Sequence, residues 1–328
     1  MHILFLEPNL SIEGDPMGVM QLSAMAHTRG HTTDIVQLED DYVDAIRKAA
    51  PGLLAVSMMS TEYVRMRSAI AKIRAALPEL KILAGGPHPT FVPSCIDDLA
   101  VDGICVGEGD YAFLDVLERC EAGRDWDGIP NIHTRTSKNP PRPLVEDLDT
   151  LPFPDREIVY RNSPAVGSFR LRSFLSTRGC PFMCTYCFNH AYNAMYKGLG
   201  RVVRKRSVDN LLAEVEMVVR TYPTDFLKFA DDSFVLGVDD WLREFSVKYR
   251  QRVGLPFYCL VRADVVTPEM VRLLKEAGCV SVCMSIETGN ETIRREVLHR
   301  NVTNERIIQA FDLFNAADIR IYTNNMLG

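Results

Sequence analysis

The sequence predicts an α/β protein in two parts: a doubly wound parallel sheet over residues 1–125 and a partial β/α barrel over 169–328. Three observations carry this reading. Apolar, strand-like runs alternate with helical patterns through the first 125 residues. A second series of the same kind starts near Arg172. Between them prolines recur at 130, 140, 141, 143, 152, 154 and 164, so 126–168 reads as a linker that crosses the surface. Strands separated by helices pair in parallel, with right-handed crossovers covering both faces of the sheet.

The elements follow in order. Residues 1–6 form a short apolar run, 17–28 a helix and 32–37 a second strand. The amphipathic stretch 41–49 leads into a strand at 53–57. Within 60–76, Tyr63, Met66, Ile70 and Ile73 fall at helical spacing. Strands at 81–84 and 103–106 follow, and a helix at 111–120 ends the series. On such sheets ligands lie at the carboxyl ends of the strands. Four of these ends stand out: 7–18, Ser57-Met58-Met59-Ser60, Gly85-Gly86-Pro87-His88-Pro89 and Val106-Gly107-Glu108-Gly109. Glycine there lets backbone approach a ligand closely. Farther on, 148–154 reads as apolar side chains docked onto the next domain.

The second series places strands at 172–177, 226–230, 257–261, 280–286 and 319–327. Helices fall at 208–222, 239–252, from 267 onward, and at 305–316. Ser207 caps the first of these helices, and Pro268 takes a first-turn position in the third. The strand ends carry three cysteines, Asp231-Asp232, Arg262-Ala263-Asp264 and Glu287-Thr288-Gly289-Asn290. The series stops at a fifth strand with no helix after it. It therefore reads as an unfinished barrel with an apolar edge, and the chain as a fragment.

Composition narrows the function classes. Lys+Arg 37 against Asp+Glu 43 leaves a net charge of −6, which argues against a general nucleic-acid binder. No uncharged apolar run reaches the ~18 residues of a membrane span. The start, with Glu7 beside Pro8, lacks the basic region and cleavage site of a signal peptide, so the cytoplasm is the expected location.

Of nine cysteines, Cys95, Cys105, Cys120, Cys259, Cys279 and Cys283 are scattered and read as small buried hydrophobes. Cys180, Cys184 and Cys187 are bunched as C-x3-C-x2-C. Thiols kept reduced and clustered read as metal-binding or catalytic. A structural zinc needs a fourth Cys or His, for which His190 is the nearby candidate. Iron–sulfur clusters usually take four cysteines; with three, one iron is left for a ligand that is not protein.

This motif, with Tyr186 before the last cysteine and on the loop after the first strand of a β/α series, resembles the radical S-adenosylmethionine (SAM) enzymes. The resemblance implies a 4Fe–4S cluster on Cys180, Cys184 and Cys187, with SAM chelating the fourth iron. It places SAM beside Tyr186, Asp231, Asp232, Arg262 and Glu287. Asp231-Asp232 stands where many members carry a Gly-Gly-Glu type motif, and here the glycines are absent. The plain alternatives are a helix-capping turn for the acidic pair and a surface salt bridge for Arg262.

The first 125 residues resemble the cobalamin-binding domain that precedes some radical SAM barrels, a Rossmann-like or flavodoxin-like fold. Ser57-Met58-Met59 and Gly85-Gly86 match two of that class's motifs at the expected strand ends. The resemblance implies cobalamin contacts at Gly18, Ser57, Met58, Gly85, Gly86, His88, Gly107 and Glu108. For His88 the plain alternative is a satisfied loop histidine, and for Glu108 a helix cap. The D-x-H-x-x-G motif is missing, since 7–18 holds no histidine, so base-off cobalamin with no histidine nitrogen on cobalt is expected. The family chemistry implied is reductive cleavage of SAM to a 5′-deoxyadenosyl radical, most simply for methylating an unactivated carbon. Radical cyclisation, oxidation or rearrangement, and a non-catalytic cobalamin sensor, are the alternatives. The implied partners are a small-molecule, lipid or natural-product substrate and an electron donor such as flavodoxin or ferredoxin.

Overall fold

A computed structural model describes residues 1–11, 15–39 and 41–326. Part of the loop expected at 7–18, namely 12–14, lies outside the described residues, as does the expected end of the fifth strand at Leu327. The chain divides into two compact units: Met1–Leu144 with Leu151–Gly167, and Val145–Thr150 with Ser168–Gly328.

The first unit contains β1 (His2–Glu7), α1 (Met17–His27), β2 (Thr32–Gln37), α2 (Tyr42–Ala49), β3 (Leu53–Ser57), α3 (Tyr63–Ala76), β4 (Ile82–Gly85), α4 (Pro87–Phe91), β5 (Gly103–Cys105), α5 (Asp110–Glu121) and β6 (Ile132–His133). Its sheet runs β2-β1-β3-β4-β5-β6. The first five strands are parallel and β6 is antiparallel to β5. Ile3, Leu4, Phe5 and Leu6, like Leu53 to Val56, are all buried. That is the pattern of a parallel strand with helices over both faces.

Residues 126–168 differ from the expected linker. Trp126, Ile129 and Ile132 are buried, and β6 adds a sixth strand. A Cβ on Gly103 would come within 2.9 Å of the Trp126 ring, so this segment packs tightly on β5. Its later part holds α6 (Glu157–Tyr160) and α7 (Pro164–Ser168). There Ser23 donates to Asp155 Oδ2 (2.6 Å), and Arg161 donates to the Thr33 carbonyl (2.6 Å). The prolines punctuate a segment that buries apolar side chains, which composition alone does not show. The stretch at 148–154 is split: Leu148 and Asp149 belong to the second unit, where Asp149 accepts from Ser207 N (3.0 Å), and Leu151 onward to the first.

The second unit contains β7 (Leu171–Phe174), β8 (Thr177–Arg178), α8 (Phe188–Met195), β9 (Arg204–Lys205), α9 (Val208–Thr221), β10 (Phe226–Phe229), α10 (Asp240–Arg252), β11 (Phe257–Leu260), α11 (Pro268–Ala277), β12 (Cys279–Cys283), α12 (Asn304–Ala316) and β13 (Arg320–Tyr322). Five parallel strands lie in the order β7-β10-β11-β12-β13, the sequential order of a β/α barrel. The expected first strand is two: β7 ends at Phe174, and β8 pairs antiparallel with β9. Helices α9, α10, α11 and α12 are each capped by a side chain, from Ser207, Asp239, Thr267 and Thr303. Such caps satisfy backbone N–H groups left without partners in the first turn. Phe229 stands at the centre of an aromatic core, against Phe174, Phe234, Phe245, Tyr249 and Phe257. No helix among the described residues is long and apolar enough to cross a membrane.

Candidate functional site

The cysteine loop leaves the sheet after β8. Gly179 has φ +87°, and a Cβ there would lie 2.1 Å from the Val202 carbonyl oxygen, so only glycine fits. Cys180 and Cys184 are buried, Cys187 is half-buried, and none is in a disulfide. Arg262 Nη1 donates to Cys184 Sγ at 3.3 Å, and Asn189 Nδ2 to Cys187 Sγ at 3.7 Å. Asn193 Nδ2 donates to the Cys180 carbonyl (2.9 Å). Thr185 ties the loop to the short π-helical turn Ile293–Val297 and the residue after it, its N–H donating to Leu298 O (3.2 Å) and its Oγ1 to Val297 O (2.7 Å).

This donor set fits a cubane cluster, in which each thiolate meets a different iron and its sulfur accepts N–H bonds. A structural zinc would need a fourth Cys or His beside the three thiols. His190 turns Nδ1 toward the Met183 carbonyl (3.3 Å).

The acidic pair divides its labour. Asp231, expected beside SAM, is fully buried, and the bonds of its Oδ1 go to the chain itself. Its Oδ1 accepts from Ser176 N (2.8 Å), Ser176 Oγ (3.1 Å), Thr177 N (2.5 Å) and Thr177 Oγ1 (2.6 Å). It clasps the start of the cysteine-bearing segment. Burial pushes its carboxyl up to about 6, against the pull of those donors. Asp232 is exposed and hydrogen-bonds Asn189, the side chain that also reaches Cys187.

Arg262, also expected at SAM, is buried, with its fork closed on Asp264 (3.0 and 2.8 Å) and its plane 3.5 Å from the Phe182 ring centroid. Glu287 is buried with φ +67°, a conformation uncommon outside glycine. Tyr186 donates to its Oε1 (2.9 Å), so these two expected residues do meet. Arg300 joins them, 3.3 Å from the Tyr186 hydroxyl and 3.6 Å from Glu287 Oε1, and anchors to Ser285 O (2.8 Å). Burial, with Glu287 beside it, raises the Tyr186 phenol and keeps it a donor. No spacing in the sequence marks Arg300; only the return of the chain after the π-helical turn brings it here.

In the first unit the carboxyl ends of β3, β4 and β5 are knitted by backbone. Met58 N donates to Gly85 O and His88 N to Met58 O, both at 3.1 Å. Thr90 Oγ1 donates to Gly86 O (2.9 Å) and accepts from Gly107 N (3.1 Å). Gly86 (φ +92°) would bring a Cβ to 3.0 Å from both Met58 N and Ser57 Oγ. Gly107 is also left-handed, at φ +91°. The Met58 side chain is buried, and its backbone N–H and carbonyl are the groups bonded to Gly85 and His88. Gly18 lies exposed in the first turn of α1, and Glu108 is half-buried in the turn before α5.

His88 is buried. Its Nδ1 meets Ser60 Oγ (3.0 Å), its ring stacks on Tyr63 (4.2 Å between centroids), and burial lowers its pKa, so the imidazole is neutral. Its buried Nε2 has no hydrogen-bond partner, nor has Oε1 of buried Glu7 at the end of β1. Burial, with Glu62 adding to it, pushes Glu7 up to about 8. The sequence offered Glu7 only as the start of a loop. A cradle that a Cβ would fill and two unsatisfied buried polar atoms fit a large polar cofactor at this edge.

The sequence pattern of the B12 binding domain matches residues 9–117, and that of the Radical SAM superfamily matches 174–328. The chain belongs to the B12-binding radical SAM family. This radical SAM chain is 24% identical to an uncharacterized methyltransferase of Pyrococcus horikoshii over 90% of its length, spanning 66% of that relative. It is 26% identical to cytidylyl-2-hydroxyethylphosphonate methyltransferase of Streptomyces wedmorensis, covering 82% of this chain and 56% of that one. It is 22% identical to the anaerobic magnesium-protoporphyrin IX monomethyl ester cyclase of Rubrivivax gelatinosus, covering 94% and 60%. Each relative is thus longer than the chain. In fold it is similar to the radical SAM methyltransferase TsrM of Kitasatospora setae, with TM-score 0.79 and 18% identity over 100% of this chain and 68% of that one.

Proposed function

We propose that this chain is the cofactor-binding part of a cobalamin-dependent radical SAM enzyme that methylates an unactivated carbon of a small molecule. The observation that carries this reading is the pairing of C-x3-C-x2-C, with hydrogen-bonded thiols, and a glycine-lined cobalamin-type edge in one chain. When bound, the 4Fe–4S cluster, SAM and cobalamin supply the one-electron and methyl-transfer chemistry.

The chain's own residues hold and orient. Cys180, Cys184 and Cys187 would ligate three irons, leaving the fourth for SAM. Asp232 lies beside the loop, open to a ligand's amino group, and Tyr186, Glu287 and Arg300 present a preset donor–acceptor group at the end of β12. Arg300 neutralises Glu287, so that group accepts polar atoms without carrying a bare charge. In the first unit Gly86 and Gly107 keep side chains out of the slot, and neutral His88 and protonated Glu7 offer uncharged polar atoms to the corrin or its tail. The electron donor would be a flavodoxin or ferredoxin.

Anaerobic reconstitution tests the reading. The chain should bind about four irons and four sulfides, hold cobalamin, and release 5′-deoxyadenosine from SAM under reduction. Absence of iron beyond a zinc-like stoichiometry sinks it. The similarity to a cyclase favours one second reading, radical cyclisation without methyl transfer. Labelled methyl from SAM appearing in product separates the two. Electron paramagnetic resonance of the cob(II) form should show no nitrogen splitting; a triplet lost in His88→Ala overturns the base-off expectation.

A further inference from the structure

The Arg262 guanidinium has three neighbours and almost no contact with solvent. Nε and Nη2 grip Asp264 Oδ1 and Oδ2 at 3.0 and 2.8 Å, and Nη1 reaches Cys184 Sγ at 3.3 Å. Its plane rests on Phe182, two residues before that cysteine. The side chain is 9% exposed. Arg306 of α12 in turn holds the turn that carries the pair, donating to the carbonyls of Asp264 (3.5 Å) and Val266. A guanidinium so engaged has little left with which to clamp a substrate carboxylate. What it does present is one N–H aimed at a cluster-ligand sulfur.

We propose that Arg262 and Asp264 form a charge-compensated pair that sets the reduction potential of the cluster through the N–H···S contact to Cys184. This rests on the reading that Cys180, Cys184 and Cys187 hold a 4Fe–4S cluster. Hydrogen bonds to ligand sulfur draw density away from iron and raise the potential, and net charge nearby shifts it further. Reduction adds one electron, taken from dithionite in the experiment below, so a positive neighbour favours the reduced state and a negative one opposes it. The ion pair is close to neutral as a whole. Its partners therefore act in opposite senses when removed singly. Without Arg262, the sulfur loses its donor and the Asp264 carboxylate is left uncompensated. Without the Asp264 charge, the guanidinium faces the cluster as a full cation. In a low-dielectric site either imbalance is felt strongly.

The test is a redox titration of the reconstituted full chain without SAM, followed by electron paramagnetic resonance of the reduced cluster. The variants are R262Q, R262K and D264N. The expected order of midpoint potentials is D264N above wild type and wild type above R262Q. R262K, which keeps charge but loses the fork, should fall between wild type and R262Q. Shifts of the same sign in R262Q and D264N overturn the proposal. So does an unchanged potential in R262Q together with weakened SAM binding by equilibrium dialysis, which would make Arg262 a SAM ligand. If R262Q does not take up iron, D264N decides: a raised potential supports the pair, and an unchanged or lowered one overturns it. A wild-type chain that holds no cluster removes the proposed function itself, which keeps the two failures apart.

Discussion

The two units face the same task, presenting a ligand edge at the carboxyl ends of parallel strands, and meet it by different means. The first builds its edge from backbone. Gly86 and Gly107 sit at positive φ, the β3, β4 and β5 loops are tied by main-chain bonds, and its buried acid, Glu7, keeps its proton. The second builds its edge from charged side chains: buried Arg262 with half-buried Asp264, and Arg300 with Glu287, both buried, each paired. The helices differ too. None of α1 to α5 has a side-chain cap bond, whereas α9 to α12 all do. A backbone edge admits bulk by keeping side chains out. A charged edge fixes a few atoms in place and must satisfy each charge within the protein.

The contrast can be tested, starting where the effect should be largest. Cys184→Ala should abolish cluster assembly, since two thiolates cannot hold a cubane, while leaving cobalamin binding by the first unit intact. Cys279→Ala, a buried cysteine of β12, should leave iron content unchanged at a cost of about 1 kcal/mol. Iron analysis and cobalamin titration on the same preparations check both. Retention of the cluster in Cys184→Ala would break the assignment of the thiols.

The second test uses pH. Glu7 holds its proton up to about 8 in the folded chain and has an ordinary value of 4.5 when unfolded. Its contribution is therefore complete below pH 4.5 and is lost as pH rises toward 8, at up to about 1.4 kcal/mol per pH unit. Asp231, raised to about 6 from 3.8, acts in the same sense but only over that lower window. Between pH 6 and 8 the cofactor-free first unit should weaken while the second stays level. The two tryptophans, Trp126 and Trp241, lie one in each unit, so urea unfolding of W126F and W241F reads them separately. Glu7→Gln should flatten the first unit's slope. A slope that persists would move the titrating group elsewhere.

Gly86→Ala should come next. Forcing a Cβ at φ +92°, 3.0 Å from Met58 N, costs about 1–3 kcal/mol, and cobalamin affinity should fall at least about tenfold. Unchanged binding would show that the backbone edge is not the cofactor's seat. The smallest effect concerns the caps. Thr267→Ala, with the side-chain bond to Met270 N removed, should destabilise the second unit by about 1 kcal/mol by the same urea assay. Asp41→Ala, before uncapped α2, should change the first unit by less than about half of that.

Local rules determined much of this protein from sequence. Apolar runs of strand length gave both parallel sheets because such strands are buried on both faces. Ser207, Asp239 and Thr267 marked helix starts because capping is a contact within one turn. The cysteine spacing and Gly85-Gly86 were legible because their chemistry lies within a few consecutive residues. Tertiary structure decided the rest. The prolines of 126–168 hid Trp126 and Ile132, which bury themselves against β5 only once that strand exists. Asp231 and Asp232 are neighbours in sequence, but the strand end turns one into the core and the other toward Asn189. Arg262 meets Cys184 across 78 positions, and Arg300 meets Tyr186 across 114. A charge finds its partner by the geometry of the closed fold, and no spacing along the chain records that.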